Sequence, residues 1–222
     1  MATQPIYQFY AELCDFEPKI WRRFQIAGNA TVAKFAYVLM AMYHMQGSHL
    51  FAVRLGEQKD PFLKEPLPEN MIPFDFAANS GREFQVPHED FFGFGEEYED
   101  ATAFQIKEVL SAPGDLLLLE YDFGDSWCVA VRLEEILIDK ALPARELPRV
   151  LEGEGYGIVE DCGGTGGLDS LRLAFERGEG EEYEDLCGWL GVTHFDLSAF
   201  NAAEMSRIVK SAPRRFKSIY EI

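Results

Sequence analysis

Apolar and polar positions follow two spacings along the chain, and the switches between them mark out the elements. Ile6–Leu13 is rich in aromatic and β-branched residues and reads as a strand; a turn at Pro18 leads to a second strand over 21–26, which makes an opening hairpin. After the turn Gly28-Asn29-Ala30-Thr31, the residues Val32, Phe35, Ala36, Leu39, Met42 and Tyr43 recur at helical spacing. This predicts a helix over 32–44 with Thr31 as its N-cap. Ala33, Tyr37, Val38, Met40 and Ala41 are apolar as well, so the helix has almost no polar face and must be covered on more than one side. Gly47 ends it, and residues 49–55 have the composition of a strand returning to the sheet.

From 56 to 103, Pro61, Pro66, Pro68, Pro73 and Pro87 interrupt any long regular element, so this stretch is expected to lie outside the sheet. Phe91, Phe92 and Phe94, set among glycines, would anchor it to the body of the protein. A short helix over 104–110 precedes two clear strands, Leu116–Tyr121 and 127–138, joined by the turn Asp122-Phe123-Gly124-Asp125-Ser126. Glycine-rich stretches follow at 152–157 and 160–167, and from Leu168 the pattern is helical, with breaks at 178–180 and Gly191. The order ββαβ…αββ predicts an α+β fold: a mixed, mainly antiparallel sheet, a central packed helix and a helical C-terminal lobe. Residues 1–167 are expected to form the α+β domain and 168–222 the lobe packed on it, as one structural unit.

Composition narrows the class. With 47% hydrophobic residues among 222, the chain can bury a core, which excludes disorder as its main state. The 38 acidic against 20 basic side chains give a net charge of −18, opposing the phosphate-neutralising contacts that dominate nucleic-acid affinity. The one short basic run, Lys19-Ile20-Trp21-Arg22-Arg23, is a strand in which alternation puts Trp21 and Arg23 on one face. Arg22 falls on the other face, so one of the two arginines is expected under the sheet, in a structural ion pair with a carboxylate. No apolar run approaches the ~20 residues of a membrane span, and the first ten residues have no basic or apolar leader pattern. A cytoplasmic protein without a membrane partner is expected. Cys14, Cys128, Cys162 and Cys187 form no C-x-x-C pair and are expected to be free thiols.

Four ordered landmarks resemble the plasmid pRiA4b ORF-3-like family, also described as passengers of a mobile insertion element. They are Pro18-Lys19-Ile20-Trp21-Arg22-Arg23, Ser48-His49-Leu50, Tyr121-Asp122-Phe123-Gly124-Asp125-Ser126-Trp127, and Gly153-Glu154-Gly155 followed by Glu160-Asp161-Cys162-Gly163-Gly164. The chain departs from the family pattern at Gly47, where an acidic residue is usual, at Phe51-Ala52, where a second histidine is usual, and at Ile158-Val159, where prolines are common. The resemblance implies a fold and an association with mobile elements, and brings no established activity.

The landmarks carry the candidate chemistry: His49 at a strand start, Asp122 and Asp125 in the hairpin turn with Trp127 beside them, and Glu160, Asp161 and Cys162 in the glycine-rich loop. One reading makes the fold a non-enzymatic binding module for a protein or small-molecule ligand. Its cleft lies near the Asp122–Trp127 turn and the 160–164 loop, with His49, Asp122, Asp125, Trp127 and Asp161 binding the ligand. The alternative is a metal-assisted hydrolase or nuclease built on His49 and the acidic loop residues. In a purely structural role Asp122 and Asp125 cap the turn and Trp127 fills the core. The glycine-rich stretches lack the Gly-Lys-Ser/Thr of a P-loop and the strand–turn–helix context of a dinucleotide site, and neither a G-x-S-x-G elbow nor an H-E-x-x-H helix occurs, so no cofactor is implied. The charge balance gives a first prediction: random-sequence duplex DNA at physiological salt will not shift in a gel with the purified protein. A tight, salt-sensitive shift would contradict it.

Overall fold

A computed structural model describes residues 4–56, 80–87 and 98–221. Its centre is an eight-stranded sheet. The opening hairpin, β1 (Ile6–Leu13) and β2 (Trp21–Ala27), pairs in register with Tyr10 opposite Arg23. The helix α1 (Val32–Met42) follows, then β3 (Phe51–Gly56), β4 (Ser80–Gln85) and the two-residue β5 (Glu99–Asp100). A single-turn helix, α2 (Ile106–Val109), leads into the second hairpin, β6 (Leu116–Tyr121) and β7 (Trp127–Leu137). The edge strand β8 (Arg149–Glu154) precedes three helices: α3 (Gly164–Arg177), α4 (Glu181–Leu190) and α5 (Ala202–Tyr220). The strand order is β5-β4-β3-β6-β7-β1-β2-β8, antiparallel throughout except for the parallel β4–β5 pair. The α+β class and the mainly antiparallel sheet are as the hydrophobic pattern predicts, and both hairpins and β3 share the one sheet.

Every residue of α1 except Lys34 is buried, as expected of a helix without a polar face. Thr31 caps it by accepting from the Lys34 backbone N–H at 3.1 Å. On one side Phe35 packs on Phe9 and Phe24 of the sheet, at ring-centroid distances of 4.9 and 5.9 Å. On the other side α5 covers it, with Tyr37 stacked against Phe216 and Tyr220 at 5.8 and 5.9 Å. The sheet, α1 and α5 thus form three layers around one hydrophobic cluster, which also takes in Leu168 of α3. The helix stops two residues before the predicted end because His44 adopts a left-handed φ of 60°, which turns the chain out of the helix.

One expectation fails, and one stretch given no element is a strand. The 56–103 stretch does not lie wholly outside the sheet: β4 and β5 extend it beyond β3, and Arg82 binds Glu99 across them at 2.8 Å. Prolines flank these strands, so the backbone N–H groups that pair in the ladder remain available. The aromatic run Phe91–Phe94 falls outside the described residues. The first half of the glycine-rich stretch at 152–157 belongs to the edge strand β8, in which Gly153 lies so close to β2 that a Cβ there would stand 2.6 Å from the Trp21 carbonyl oxygen. Ser206 of α5 closes this edge: its hydroxyl accepts from the Val150 N–H at 2.9 Å and donates to the Val150 carbonyl at 3.1 Å.

Arg22 corrects a further expectation. It lies under the sheet, fully buried, and its hydrogen-bond partners among the described residues are all backbone carbonyls. Its guanidinium donates to five backbone carbonyls: Met42 at 3.2 Å, Trp21 at 2.8 Å, Glu154 at 2.6 Å, and Gly155 and Tyr156 at 2.7 Å each. The rings of Tyr43 and Phe200 lie 5.2 and 4.6 Å from its central carbon. Burial lowers its pKa to about 10, so it stays cationic at neutral pH. The ion pairs belong to Arg23 on the opposite face, which binds Glu134 at 2.8 Å and Glu152 at 2.7 Å beside the Trp21 ring.

This arrangement yields a second prediction. Arg22→Met fills similar volume but leaves several carbonyls without donors, at roughly 1–3 kcal/mol each where they stay dry. Urea unfolding should show a loss of at least about 3 kcal/mol. A loss under about 1 kcal/mol would show that water replaces the guanidinium at little cost.

Candidate functional site

The antiparallel register explains why distant residues meet. Phe51 pairs with Tyr121, so the chain just before β3 runs beside the chain just after β6. The Asp122 N–H donates to the Leu50 carbonyl at 3.0 Å, which sets His49 against the hairpin turn. The third participant arrives by a different route. Arg22 holds the Gly155 and Tyr156 carbonyls, and the Ile158 N–H donates to the Tyr43 carbonyl at 2.9 Å. Gly157 is required in this crossing, since at its φ of 139° a Cβ would lie 2.6 Å from the Tyr43 oxygen. Pinned in this way, the segment delivers Glu160 and Asp161 to the turn that follows α1.

Three carboxylates face one imidazole nitrogen there. His49 Nε2 stands 3.5 Å from Asp122 Oδ2, 3.3 Å from Glu160 Oε2 and 3.3 Å from Asp161 Oδ1. This nitrogen is buried and makes no hydrogen bond. Donor atoms from His49, Asp122 and Asp161 all lie within 4.8 Å of one another. The ring is fixed from two sides: it meets Tyr121 edge-on at 5.7 Å, and the His49 carbonyl accepts from the Tyr220 hydroxyl of α5.

The carboxylates differ in what else they do. Asp122 uses Oδ1 to accept from the Gly124 N–H at 3.0 Å, capping its own turn at a φ of 54°, and presents Oδ2 to His49. One side chain thus caps its turn and faces His49 at the same time. Glu160 is the most heavily engaged: Oε1 accepts from the Gln46 N–H at 2.6 Å and the Tyr121 hydroxyl at 2.7 Å, and Oε2 from the Ser48 hydroxyl at 2.9 Å. Burial first, and then the Glu160 carboxylate, push the Tyr121 pKa up to about 12, so this hydroxyl remains a donor. Asp161 is 72% exposed and, at a φ of 60°, turns its side chain to the cluster from the solvent side.

The remaining candidates take other positions. Asp125 accepts from the Gly163 N–H at 3.2 Å and so ties the hairpin turn to the start of α3. Trp127 is 1% exposed and fills the core. Cys162 points its thiol at the Gly164 carbonyl, and burial, with Asp125 next, pushes its pKa up to about 11, away from nucleophilic use. Glu160 is a candidate by residue type alone, and its contacts with Gln46 and Ser48 are legible only once the loop is set beside them. A cleft of about 440 Å³ adjoins the cluster and shares Glu160 and Asp161 with it. Its other walls come from the end of α1 at His44 and Gln46, from Tyr156, and from Trp189 of α4, not from the hairpin turn.

The fold and its histidine–carboxylate cluster define an α+β protein with a candidate cation site at the rim of an open cleft. Residues 5–204 match the plasmid pRiA4b ORF-3-like proteins, and the chain belongs to that family. Among solved structures it is similar to a protein of unknown function, MM3350, from Methanosarcina mazei Go1, at 23% identity and a TM-score of 0.69. That likeness covers 91% of this chain and 98% of the other, and it shows the fold. No curated protein sequence matches the chain. No helix among the described residues is long and apolar enough to cross a membrane.

The cleft wall supplies a third prediction. His44 stacks on Tyr156 at 4.0 Å, and burial, helped by the cations Arg22 and Arg215, lowers its pKa to about 4. The unfolded chain takes up this proton near pH 6.5, whereas the folded protein refuses it until about pH 4. Stability must therefore fall as the pH drops through that window. His44→Asn tolerates the left-handed backbone and should flatten this part of the stability–pH curve, read by urea unfolding at stepped pH. Identical slopes in the two proteins would refute the assignment.

Proposed function

We propose that the protein is a ligand-binding module whose recognition centre is a divalent transition-metal ion held by His49, Asp122 and Asp161, with the adjoining cleft admitting the ligand. One observation carries this reading: a buried, unbonded His49 Nε2 with carboxylate oxygens 3.3–3.5 Å away on three sides. Ligand atoms on a tetrahedral ion at ~2.1 Å stand roughly 3.4 Å apart, which the His49–Asp122 and His49–Asp161 spacings match, and all three donors lie within 4.8 Å of one another. Imidazole with carboxylates favours zinc or manganese over calcium. Exposed Asp161 supplies the solvent-facing ligand, and cleft-side positions stay open for a donor from the bound molecule.

Metal-assisted hydrolysis is the second reading, favoured by that same open side, where a metal-bound water could sit. Binding is the better supported. Glu160, the nearest carboxylate to serve as a base, already accepts three hydrogen bonds, and Asp122 accepts one at its turn. The ligand is taken to be a small molecule or a protein segment in the cytoplasm, since the −18 charge works against non-specific nucleic-acid binding.

Calorimetric titration of chelator-stripped protein with zinc chloride tests the proposal. One site per chain is expected; His49→Ala should abolish it, and Asp161→Asn should weaken it at least ~10-fold while leaving the melting temperature of the metal-free protein near that of the parent. Failure of the parent protein to take up zinc or manganese would end the metal reading. Zinc-dependent turnover of simple ester or phosphodiester substrates would move the assignment to hydrolysis.

A further inference from the structure

The face of the sheet opposite α1 carries a second, smaller cluster made of Tyr10, Cys14, Leu116, Leu118 and Ala130, with Trp21 and Cys128 against it. Long charged side chains surround it, among them Arg23 with Glu134, Lys19 with Glu12, and Arg132 over the Tyr10 ring. Within this cluster two cysteines distant in sequence meet. The register of β1 on β7 pairs Leu13 with Val129, so Cys14 and Cys128 are the next residues facing one another, and the Cys14 N–H donates to the Cys128 carbonyl at 2.9 Å. Alternation points both side chains to the same face. Their sulfurs stand 3.0 Å apart, and both are thiols.

We infer that Cys14 and Cys128 are a dithiol–disulfide pair, oxidised by peroxide to a cross-strand disulfide between β1 and β7 and reopened by thiol reductants. The site is already assembled in the reduced protein: backbone hydrogen bonding holds the strands, and the sulfurs need to close by only about 1 Å to reach the ~2.05 Å of a disulfide bond. The Cys128 S–H donates to the Cys14 sulfur, and this contact together with burial pushes the Cys128 pKa up, so Cys14 is the attacking thiol. In the first step the Cys14 sulfur attacks one peroxide oxygen and the O–O bond breaks; the thiol proton leaves with the departing hydroxide as water. The product is a sulfenic acid on Cys14. Cys128 then attacks that sulfur, the S–O bond breaks, and hydroxide leaves with the Cys128 proton as a second water. Two thiols lose two electrons and one peroxide is reduced to two waters.

The pair has a defined relation to the candidate site. Cys128 is the second residue of β7, immediately after the hairpin turn that holds Asp122 and Asp125. Trp127, the residue before it, pairs with Tyr121, whose hydroxyl reaches Glu160. A covalent tie at Cys128 therefore fastens the base of the turn to β1. Neither Cys162 nor Cys187 is placed to substitute: the Cys162 thiol faces the Gly164 carbonyl, and Cys187 belongs to α4.

The test treats full-length reduced protein with hydrogen peroxide, removes the oxidant, and counts thiols under denaturing conditions. The count should fall from four to two, the intact mass should drop by two hydrogens, and a proteolytic digest should contain one cross-linked species joining the Cys14 and Cys128 peptides. Dithiothreitol should restore all four thiols. The Cys162→Ser, Cys187→Ser double variant keeps both partners and should form the same cross-link, with a melting temperature raised several degrees over its reduced form. Cys14→Ser should give no cross-link. Four thiols surviving in folded protein, or a cross-link through Cys162 or Cys187, would overturn the assignment. The double variant guards the conclusion should Cys14→Ser fail to fold.

Discussion

The fold depends on where one cation goes. A guanidinium buried under a sheet is tolerable only if its hydrogens are matched by oxygens, and here the oxygens are backbone carbonyls. Arg22 thereby joins three parts of the chain with few other reasons to meet: its own strand β2, the end of α1 at Met42, and the passage from β8 into the loop at 154–156. A side chain that binds main chain on three segments fixes their paths more tightly than apolar packing, which accepts sliding. A lysine in its place would carry the same charge but offers three donors on one atom, which cannot span carbonyls spread over this arc.

The loop held by Arg22 connects the core to the histidine–carboxylate cluster, and the cluster in turn organises the chain around it. Glu160 accepts from the backbone after α1, from a strand tyrosine and from Ser48, so a single side chain closes the gap between the two ends of the Gln46–Ser48 segment. Such a hub favours a preformed site over one assembled on binding. On the proposed metal reading the consequence is economy of motion: a cation entering between His49 and Asp161 would meet side chains already oriented by groups behind them, as metal sites require for affinity.

Much of this was legible in the sequence, for identifiable reasons. The opening hairpin, α1 and the β6–β7 hairpin carry strong periodicity, and their faces follow from it. Strand β8 was not legible because glycine and glutamate suggest a loop, and only its neighbours show why Gly153 must be small and why Glu152 has a partner in Arg23. Strands β4 and β5 were hidden by the prolines around them, which mark the flanks and not the pairing segments. Alternation could put Arg22 and Arg23 on opposite faces, but the partners of Arg22 could not be read, because backbone carbonyls leave no trace in composition. In the site, His49, Asp122 and Asp161 were recognisable as chemistry-bearing residues in separate landmarks. Their meeting depends on the β3–β6 register and on a loop crossing, neither of which local pattern encodes. Trp127 was the opposite case: an aromatic beside a polar turn suggested a ligand wall, while strand alternation turned it into the core.

The burial of α1 on both sides has a consequence for how the chain is made. One wall of its enclosure, the sheet, comes largely from segments on either side of it, but the other wall is α5, more than 150 residues downstream of α1. During synthesis the helix therefore emerges long before Phe216 and Tyr220 exist to cover Tyr37. A nascent chain that has not reached α5 displays a nearly all-apolar helix, the kind of surface that draws chaperones and invites aggregation. Translation arrest or an early stop codon ahead of residue 202 would leave that surface open permanently, so quality control should remove such fragments rather than let them accumulate.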